Sequence, residues 1–202
     1  MIFNVVITGI GGQGVITAAG LLRFAAITAG YRLTGADNRG GAQRLGHVSA
    51  VIRITDDDCE IRPLAPEIPK QNCDLLISLE ASEGLRFADL INPGGTIVMN
   101  RRITIPTNIR RARLPYPTLA QCLIAYEALV SGGGRTSKVI ELDADGMASD
   151  AFRKPILGNL IALGAGLSRS APPGIVERLT SRLSEEERAA FDLGFSKQGT
   201  LT

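Results

Sequence analysis

The first 36 residues constrain the fold more than any other part of the chain. Residues 2–7 are apolar except for Asn4, which predicts a short buried strand. The sequence T-G-I-G-G-Q-G follows at residues 8–14, and apolar residues then recur at helical spacing over residues 14–29. Gly30 ends this helix, and residues 31–36 read as a second strand. The chain therefore opens with a Rossmann-like β-α-β unit, in which a glycine loop joins the first strand to the helix.

Strands and helices continue to alternate along the chain. Strands are predicted at residues 48–54, 73–79, 96–100 and 137–142, and helices at residues 82–91, 118–129, 156–167, 172–179 and 184–195. Ser184 and Glu187 form a capping box at the start of the last helix. A hairpin turn is expected at residues 56–58, ahead of residues 59–62.

This order of elements predicts an α/β fold of three layers, α/β/α, around a mostly parallel but mixed sheet. At 202 residues the chain is expected to form one domain over residues 1–202, with C-terminal helices from about residue 155.

Composition excludes several function classes. The chain has 22 basic and 20 acidic residues, a balance that is not typical of a nucleic-acid-binding protein. Because no apolar run approaches the roughly 18 residues of a membrane span, we expect a soluble, cytoplasmic protein. The three cysteines (Cys59, Cys73 and Cys122) lack the spacing of a zinc or iron–sulfur site, so we expect buried, inert thiols and no metal site. His47 is the single histidine, and we expect a structural role for it.

The glycine loop has two interpretations. Gly9, Gly11 and Gly14 fit the G-x-G-x-x-G spacing between a strand and a helix, where free N–H groups at the helix start favour a phosphate. Asp37, 23 residues after Gly14, stands where an acid that binds a ribose would be expected. The alternative is a tight structural turn. Neither Gly12 nor Gln13 is required by a dinucleotide site.

A second polar loop follows the second predicted strand. Residues 39–44 read R-G-G-A-Q-R, with two arginines and one glutamine that could clamp an anion or contact another protein. A solvated turn is the other interpretation. A dinucleotide site does not account for this loop.

Three segments together carry a family resemblance: G-I-G-G-Q-G at residues 9–14, R-G-G-A-Q-R-L-G-H-V at residues 39–48 and P-G-G-T-I-V-M-N at residues 93–100. With them the chain resembles the gamma subunit, or gamma domain, of 2-oxoacid:ferredoxin oxidoreductases, and is most similar to the beta subunit of the indolepyruvate branch. Leu45 stands where that family usually has a glycine, and Arg39-Gly40-Gly41 replaces a His-Gly start. These departures leave the substrate open, and we expect an arylpyruvate such as indolepyruvate ahead of other 2-oxoacids.

The resemblance implies a subunit that is inactive alone. In such enzymes a larger partner subunit carries thiamine diphosphate and the iron–sulfur clusters. The complex decarboxylates a 2-oxoacid oxidatively, transfers the acyl group to coenzyme A and reduces ferredoxin. We therefore expect no catalytic residue and no cofactor bound by this chain alone. The expected contact set for an anion such as coenzyme A, at a subunit interface, is Gly9, Gly11, Gly12, Gln13, Gly14, Gln43 and Arg44.

The basic stretch from residue 101 to residue 113 is a second candidate. It contains five arginines (Arg101, Arg102, Arg110, Arg111 and Arg113), which could dock a partner subunit or the phosphates of coenzyme A. A solvated basic loop is the simpler alternative.

Two other functions stay open from the sequence. One is a stand-alone NAD(P)-dependent oxidoreductase, and the other is a nucleotide-binding scaffold without chemistry. The chain has no Tyr-x-x-x-Lys pair and no histidine after His47, which disfavours the first.

Overall fold

A six-stranded mixed sheet organises the structure, a computed structural model that describes residues 1–40, 46–56, 65–131 and 137–197. The strands lie in the order β2-β3-β1-β4-β5-β6. Their bounds are β1 Ile2–Ile10, β2 Arg32–Arg39, β3 His47–Thr55, β4 Cys73–Ser78, β5 Ile91–Asn100 and β6 Lys138–Leu142. The pairs β1–β4, β4–β5 and β5–β6 are parallel, whereas β3 runs antiparallel to both β1 and β2. The predicted mixed, mostly parallel sheet is confirmed.

The antiparallel part of the sheet arises where β3 inserts between β1 and β2. Ile10 pairs with His47 on one side of β3, and Arg39 pairs with Val48 on the other. The β-α-β start is thus present, but its two strands are not neighbours. Most of the hairpin predicted at residues 56–62, including Cys59, lies outside the described residues.

Helices cover both faces of the sheet, as a three-layer fold requires. Their bounds are α1 Val15–Thr28, α2 Ala81–Gly84, α3 Thr107–Ala112, α4 Leu119–Ser131, α5 Ala144–Phe152, α6 Gly158–Ser170, α7 Ile175–Thr180 and α8 Glu185–Phe195, with 3-10 turns at Leu85–Leu90 and Pro155–Leu157. Buried residues of α1 and of α5 to α8 form one hydrophobic core with one face of the sheet. A smaller core on the other face is formed with α4, Ala81 of α2 and the partly buried apolar residues of the first 3-10 turn. Among the described helices, none has both the length and the apolar character to cross a membrane.

The helix α1 follows its predicted apolar pattern closely. Its buried residues are Val15, Ala18, Ala19, Leu22, Ala25 and Ala26, which are the positions that the helical spacing predicts. The chain turns at Gly30, where φ is +90° and the N–H donates to the carbonyl of Ile27. Small residues dominate the buried stripe, so the helix approaches the sheet closely.

Three segments differ from prediction, among them α3, which lies in the basic stretch where no helix is predicted. The helix predicted at residues 82–91 is a single turn, α2, that continues as a 3-10 turn, and β5 begins at Ile91. Residues 92–95 are therefore part of β5, where the register against β4 shifts between Cys73 and Leu75. The helix α5 is not predicted because it is short and has only two large apolar residues, Met147 and Phe152. It is held by Asp143, whose carboxylate caps it by accepting from the N–H of Gly146 at 3.0 Å.

Candidate functional site

The strand β1 is longer than predicted and includes the first three residues of the T-G-I-G-G-Q-G motif, so the glycine loop between β1 and α1 is formed by residues 11–14. The loop contains two left-handed glycines, Gly12 with φ +92° and Gly14 with φ +80°, and Gly14 is the N-cap of α1. A Cβ at residue 14 would lie 2.3 Å from Nδ2 of Asn159, which itself donates to the carbonyl of Gly14 at 3.3 Å. Both the backbone conformation and the contact with α6 therefore require glycine at residue 14.

Gln13 is a buried brace of the loop. Its Oε1 accepts from the N–H of Ile10 at 2.9 Å, and its Nε2 donates to Oε2 of Glu80 at 2.8 Å. A Cβ at Gly9 would lie 2.5 Å from Oε1 of Gln13, so glycine at residue 9 makes space for this amide. Both polar ends of the Gln13 side chain are thus used within the chain.

The link between Gln13 and Glu80 spans the switch point of the sheet. The helix after β1 packs on one face, whereas the segment after β4, with Ala81 and Leu85, packs on the other. In open α/β sheets, the crevice at such a point, beyond the carboxyl ends of the strands, is where ligands bind. Here a buried hydrogen bond joins the two strand ends at that place. This bond explains why Gln13 is present, which a dinucleotide site does not.

Glu80 is a buried carboxylate that receives two donors. It has no solvent-exposed surface, and besides Gln13 it accepts from the N–H of Thr104 at 2.5 Å. Burial raises the pKa of Glu80 to about 7, against the lowering effect of these hydrogen bonds and of the Arg102 charge. The carboxylate ties the glycine loop to the chain that follows β5.

A second acidic residue, Glu83 of α2, contacts the start of β3. Its Oε2 contacts Nδ1 of His47 at 2.6 Å and Nε of Arg86 at 2.8 Å. The other ring nitrogen of His47 lies 3.1 Å from Oγ of Ser49, and the ring stacks on Phe87. The interactions of His47 are thus those of a structural residue that joins β3 to the segment after β4.

Glu80, Glu83 and Asn159 were not identified from the sequence as parts of this edge. The available signal was weak: polar residues after the apolar strand at 73–79 and one amide within an apolar helix. Parallel strands end at one edge of a sheet, so a polar residue after such a strand is a candidate for the site.

The second polar loop joins β2 to β3 at the same edge of the sheet. Gly46, at the end of this loop, accepts from the N–H of Gly11 at 3.0 Å, so the loop end and the glycine loop are in contact. Gln43 and Arg44, together with Leu45, lie outside the described residues.

Asp37 does not lie where a ribose-binding acid is required. That role needs β2 beside β1, but β3 separates them. Asp37 instead pairs with Arg23 at 2.5 Å, and Arg39 lies 3.7 Å away. The prediction for Asp37 depended on a strand order that this chain does not have.

The five arginines of residues 101–113 separate into two groups. Arg101 pairs with Glu141 at 3.1 Å, and Arg102 pairs with Asp145 at 2.7 Å. Arg110, Arg111 and Arg113 are exposed on α3 and its C-cap. The first two thus form ion pairs within the chain, whereas the last three are displayed to solvent.

The described cysteines are buried. Burial raises the pKa of Cys73 to about 12 and raises that of Cys122, which makes both thiols poor nucleophiles. In the part of the chain that the structure describes, no group of three or more His, Cys, Asp or Glu residues could hold a metal ion.

Comparison with known proteins gives a family match over nearly the whole chain. Residues 4–196 match the family described as pyruvate ferredoxin/flavodoxin oxidoreductase. Indolepyruvate oxidoreductase subunit IorB of Pyrococcus horikoshii is 32% identical over 200 residues, covering 95% of this chain and 94% of its own. The subunit of the same name from Archaeoglobus fulgidus is 30% identical, covering 92% and 86%.

Solved structures share the fold. The gamma subunit of a keto/oxoacid ferredoxin oxidoreductase from Geobacter sulfurreducens matches with a TM-score of 0.63 at 19% identity, covering 96% of each chain. Pyruvate oxidoreductase subunit PORC of Thermotoga maritima matches with a TM-score of 0.61 at 19% identity, covering 96% and 93%. A 2-oxoglutarate:ferredoxin oxidoreductase from Magnetococcus marinus, solved with 2-oxoglutarate, coenzyme A and succinyl-CoA, matches with a TM-score of 0.61 at 16% identity, over 96% of this chain and 30% of that one.

Proposed function

The chain belongs to the pyruvate ferredoxin/flavodoxin oxidoreductase family and is a subunit of a 2-oxoacid ferredoxin oxidoreductase; we propose that its complex acts on indolepyruvate or a related arylpyruvate. The substrate proposal is supported by the match to IorB subunits along nearly the full length of both chains. Pyruvate and 2-oxoglutarate, named for the structural neighbours, are the competing substrates.

The proposed complex contains a larger partner subunit that holds thiamine diphosphate and iron–sulfur clusters. That subunit would decarboxylate the 2-oxoacid and pass the electrons to ferredoxin. This chain, as one domain over residues 1–202, would assemble with it and be inactive alone. We further propose that the complex works in the cytoplasm, where ferredoxin and coenzyme A are available.

We propose that the glycine loop acts first as a rigid junction and second as an anion contact for coenzyme A. Gly9, Gln13 and Gly14 shape the junction, since each is constrained by a contact within the chain. The N–H of Gly11 is engaged by Gly46. The anion contact therefore falls to the exposed backbone at Gly12, together with Gln43 and Arg44.

The described part of the loop is suited to a phosphate. It lies at the N-terminus of the 14-residue helix α1, whose first turn contains no acidic residue. The helix dipole at this end favours negative charge. When bound, coenzyme A supplies the thiol that accepts the acyl group; this chain would contribute orientation of its phosphates.

The test is co-expression with the neighbouring open reading frame that encodes a thiamine-dependent subunit. The purified complex should reduce a redox dye with indolepyruvate and coenzyme A, and faster than with pyruvate or 2-oxoglutarate. The isolated chain should show no turnover, and calorimetry on it should detect no tight binding of NAD or NADP. Tight binding of either nucleotide, or turnover of a 2-oxoacid by the isolated chain, would contradict the assignment.

A further inference from the structure

The two faces of the sheet are covered unequally. The face under α1 and α5 to α8 carries the larger core, whereas the other face is covered mainly by α4, α2 and a 3-10 turn. On this thinner side Leu114 is 55% exposed and Ile124, on α4, is 65% exposed. Apolar side chains are also exposed on the other side, where Ile27 is 61% exposed, so the exposure points to a docking surface only where it adjoins a groove.

A groove of about 660 Å³ lies on this side, between the segment before α4 and the 3-10 turn. We call it the α4 groove, and its lining includes Leu85, Pro115, Tyr116, Pro117, Gln121 and Cys122. Ile124 is one turn of α4 beyond Gln121 and therefore extends the same surface.

The wall of the α4 groove is rigid before any partner arrives. Two prolines flank Tyr116, and their rings restrict the backbone on both sides. The hydroxyl of Tyr116 lies 2.7 Å from Oγ of Ser82, which holds the aromatic ring against the start of α2. A preformed groove loses little conformational entropy on binding.

The chain segment that leads into the α4 groove is positively charged. Arg113 directly precedes Leu114 and Pro115 in the chain, and Arg110 and Arg111 are exposed one turn earlier on α3. Unlike Arg101 and Arg102, these three form no ion pair with a carboxylate in the described part of the chain. An apolar groove with an adjoining cationic segment selects a partner of matching shape and opposite charge.

We propose that the α4 groove, Ile124 and the three arginines of α3 form the docking surface for the larger subunit, which presents an apolar segment flanked by carboxylates. The inference rests on the proposed function, since that function supplies the partner. It adds the surface that this chain uses and the chemistry that the partner must offer.

A second copy of this chain is a poorer occupant of the same surface. A two-fold dimer would bury this patch on both copies, and the residues that define the patch include three arginines and no carboxylate. Burying positive charges together without opposite charges is unfavourable at an interface. A larger subunit with carboxylates at these positions would pair with the arginines, which a second copy of this patch could not do.

Two docking variants and two matched controls test the inference in the complex. One docking variant carries Arg110→Glu, Arg111→Glu and Arg113→Glu, and the other carries Ile124→Asp. The charge control reverses three exposed arginines on the opposite side of the sheet: Arg153, which like Arg113 is a left-handed helix C-cap, Arg169 and Arg178. The apolar control is Ile27→Asp on α1, where Ile27 is 61% exposed.

The dissociation constant between the separately purified subunits is the main measurement. Each docking variant should raise it at least about 30-fold, the size of a hot-spot effect, and each control should stay within about threefold. Circular dichroism and the unfolding midpoint of the isolated chains should match the wild type, since all substituted residues are exposed.

Several outcomes would overturn the docking surface. Docking variants that bind like their controls would do so, as would a raised requirement for coenzyme A without weaker assembly. Self-association of the isolated chain that Ile124→Asp abolishes would assign the surface to a second copy. If the wild-type subunits assemble and oxidise indolepyruvate while the variants bind normally, this inference alone fails. If the wild-type subunits do not assemble, the proposed function fails and the inference fails with it.

Discussion

At the scale of single residues, Glu80 is under two opposing influences. Burial without solvent contact disfavours its charge, whereas the donors from Gln13 and Thr104 favour it. The result is a carboxyl group whose pKa is raised from 4.5 to about 7. Its ionisation is therefore coupled to the link between the glycine loop and the chain after β5.

This coupling predicts a pH dependence of stability. Between pH 4.5 and about 7 the folded protein keeps the Glu80 proton that the unfolded chain releases, because the folded-state pKa is the higher one. The stabilisation from this group is therefore complete below pH 4.5 and is lost as the pH rises to about 7. The loss should amount to about 3 kcal/mol, since one pKa unit corresponds to about 1.4 kcal/mol.

Urea denaturation of the wild type and of Glu80→Gln at several pH values between 5 and 8 measures this effect. The amide does not titrate, so the difference in the free energy of unfolding between the two proteins should change across this range. Glu127→Gln, on the exposed surface of α4, is the control and should follow the wild type. Parallel pH profiles for the wild type and Glu80→Gln would show that Glu80 does not titrate as stated.

At the scale of elements, the junction of β1 and α1 depends on a contact with a third element. Gly14 starts α1 in a left-handed conformation, and Asn159 of α6 packs against it. The strand and helix are adjacent in sequence, but the partner is 145 residues away. The junction is therefore stable only when the C-terminal helices are in place.

We predict that Gly14→Ala destabilises the chain by about 1–3 kcal/mol, the cost of a strained left-handed residue, in addition to any loss of the Asn159 contact. The matched control is Gly20→Ala in α1, where an added Cβ meets open space. Alanine favours a helix interior, so the control should be more stable than the wild type by up to about 1 kcal/mol. Urea denaturation at a single pH measures both. Equal effects of the two substitutions would contradict a special role for residue 14.

At the scale of the whole molecule, stability should follow the unequal layers. The strands β1 and β4 are central, and α6, which has ten consecutive buried residues from Gly158 to Leu167, packs on β4 and its neighbour β5. By contrast, α3 has six residues, and its described side chains are exposed or half-buried. Local unfolding begins where few apolar contacts are lost.

Native-state hydrogen exchange should reveal this gradient. Amides of β1, β4 and α6 should exchange only through global unfolding, whereas amides of α3 should open locally at less than about 2 kcal/mol. The helix α8 is an internal comparison, because it is also peripheral but has a capping box and buries Ala190, Phe191 and Gly194. It should be protected more than α3. Uniform protection of α3 and α6 would contradict the layered account.

The sequence by itself determined those parts of the fold that depend on residues close together in the chain, such as apolar spacing and helix capping. The spacing of Val15, Ala18 and Leu22 identified the buried face of α1, and the Ser184–Glu187 capping box identified the start of α8. Three short motifs also identified the family, which the match over residues 4–196 confirms. Each of these signals is read within one element or one loop, where periodicity and capping act.

Only the tertiary structure decided the strand order and the contacts between residues that are far apart in the chain. The insertion of β3 between β1 and β2, which removes Asp37 from the glycine loop, is a choice of strand order. The meeting of Gln13 with Glu80, and of Gly14 with Asn159, joins residues 67 and 145 positions apart. The physical reason is that strand order, burial and the pKa of Glu80 are set by which surfaces pack together, and no periodicity within a single segment encodes that.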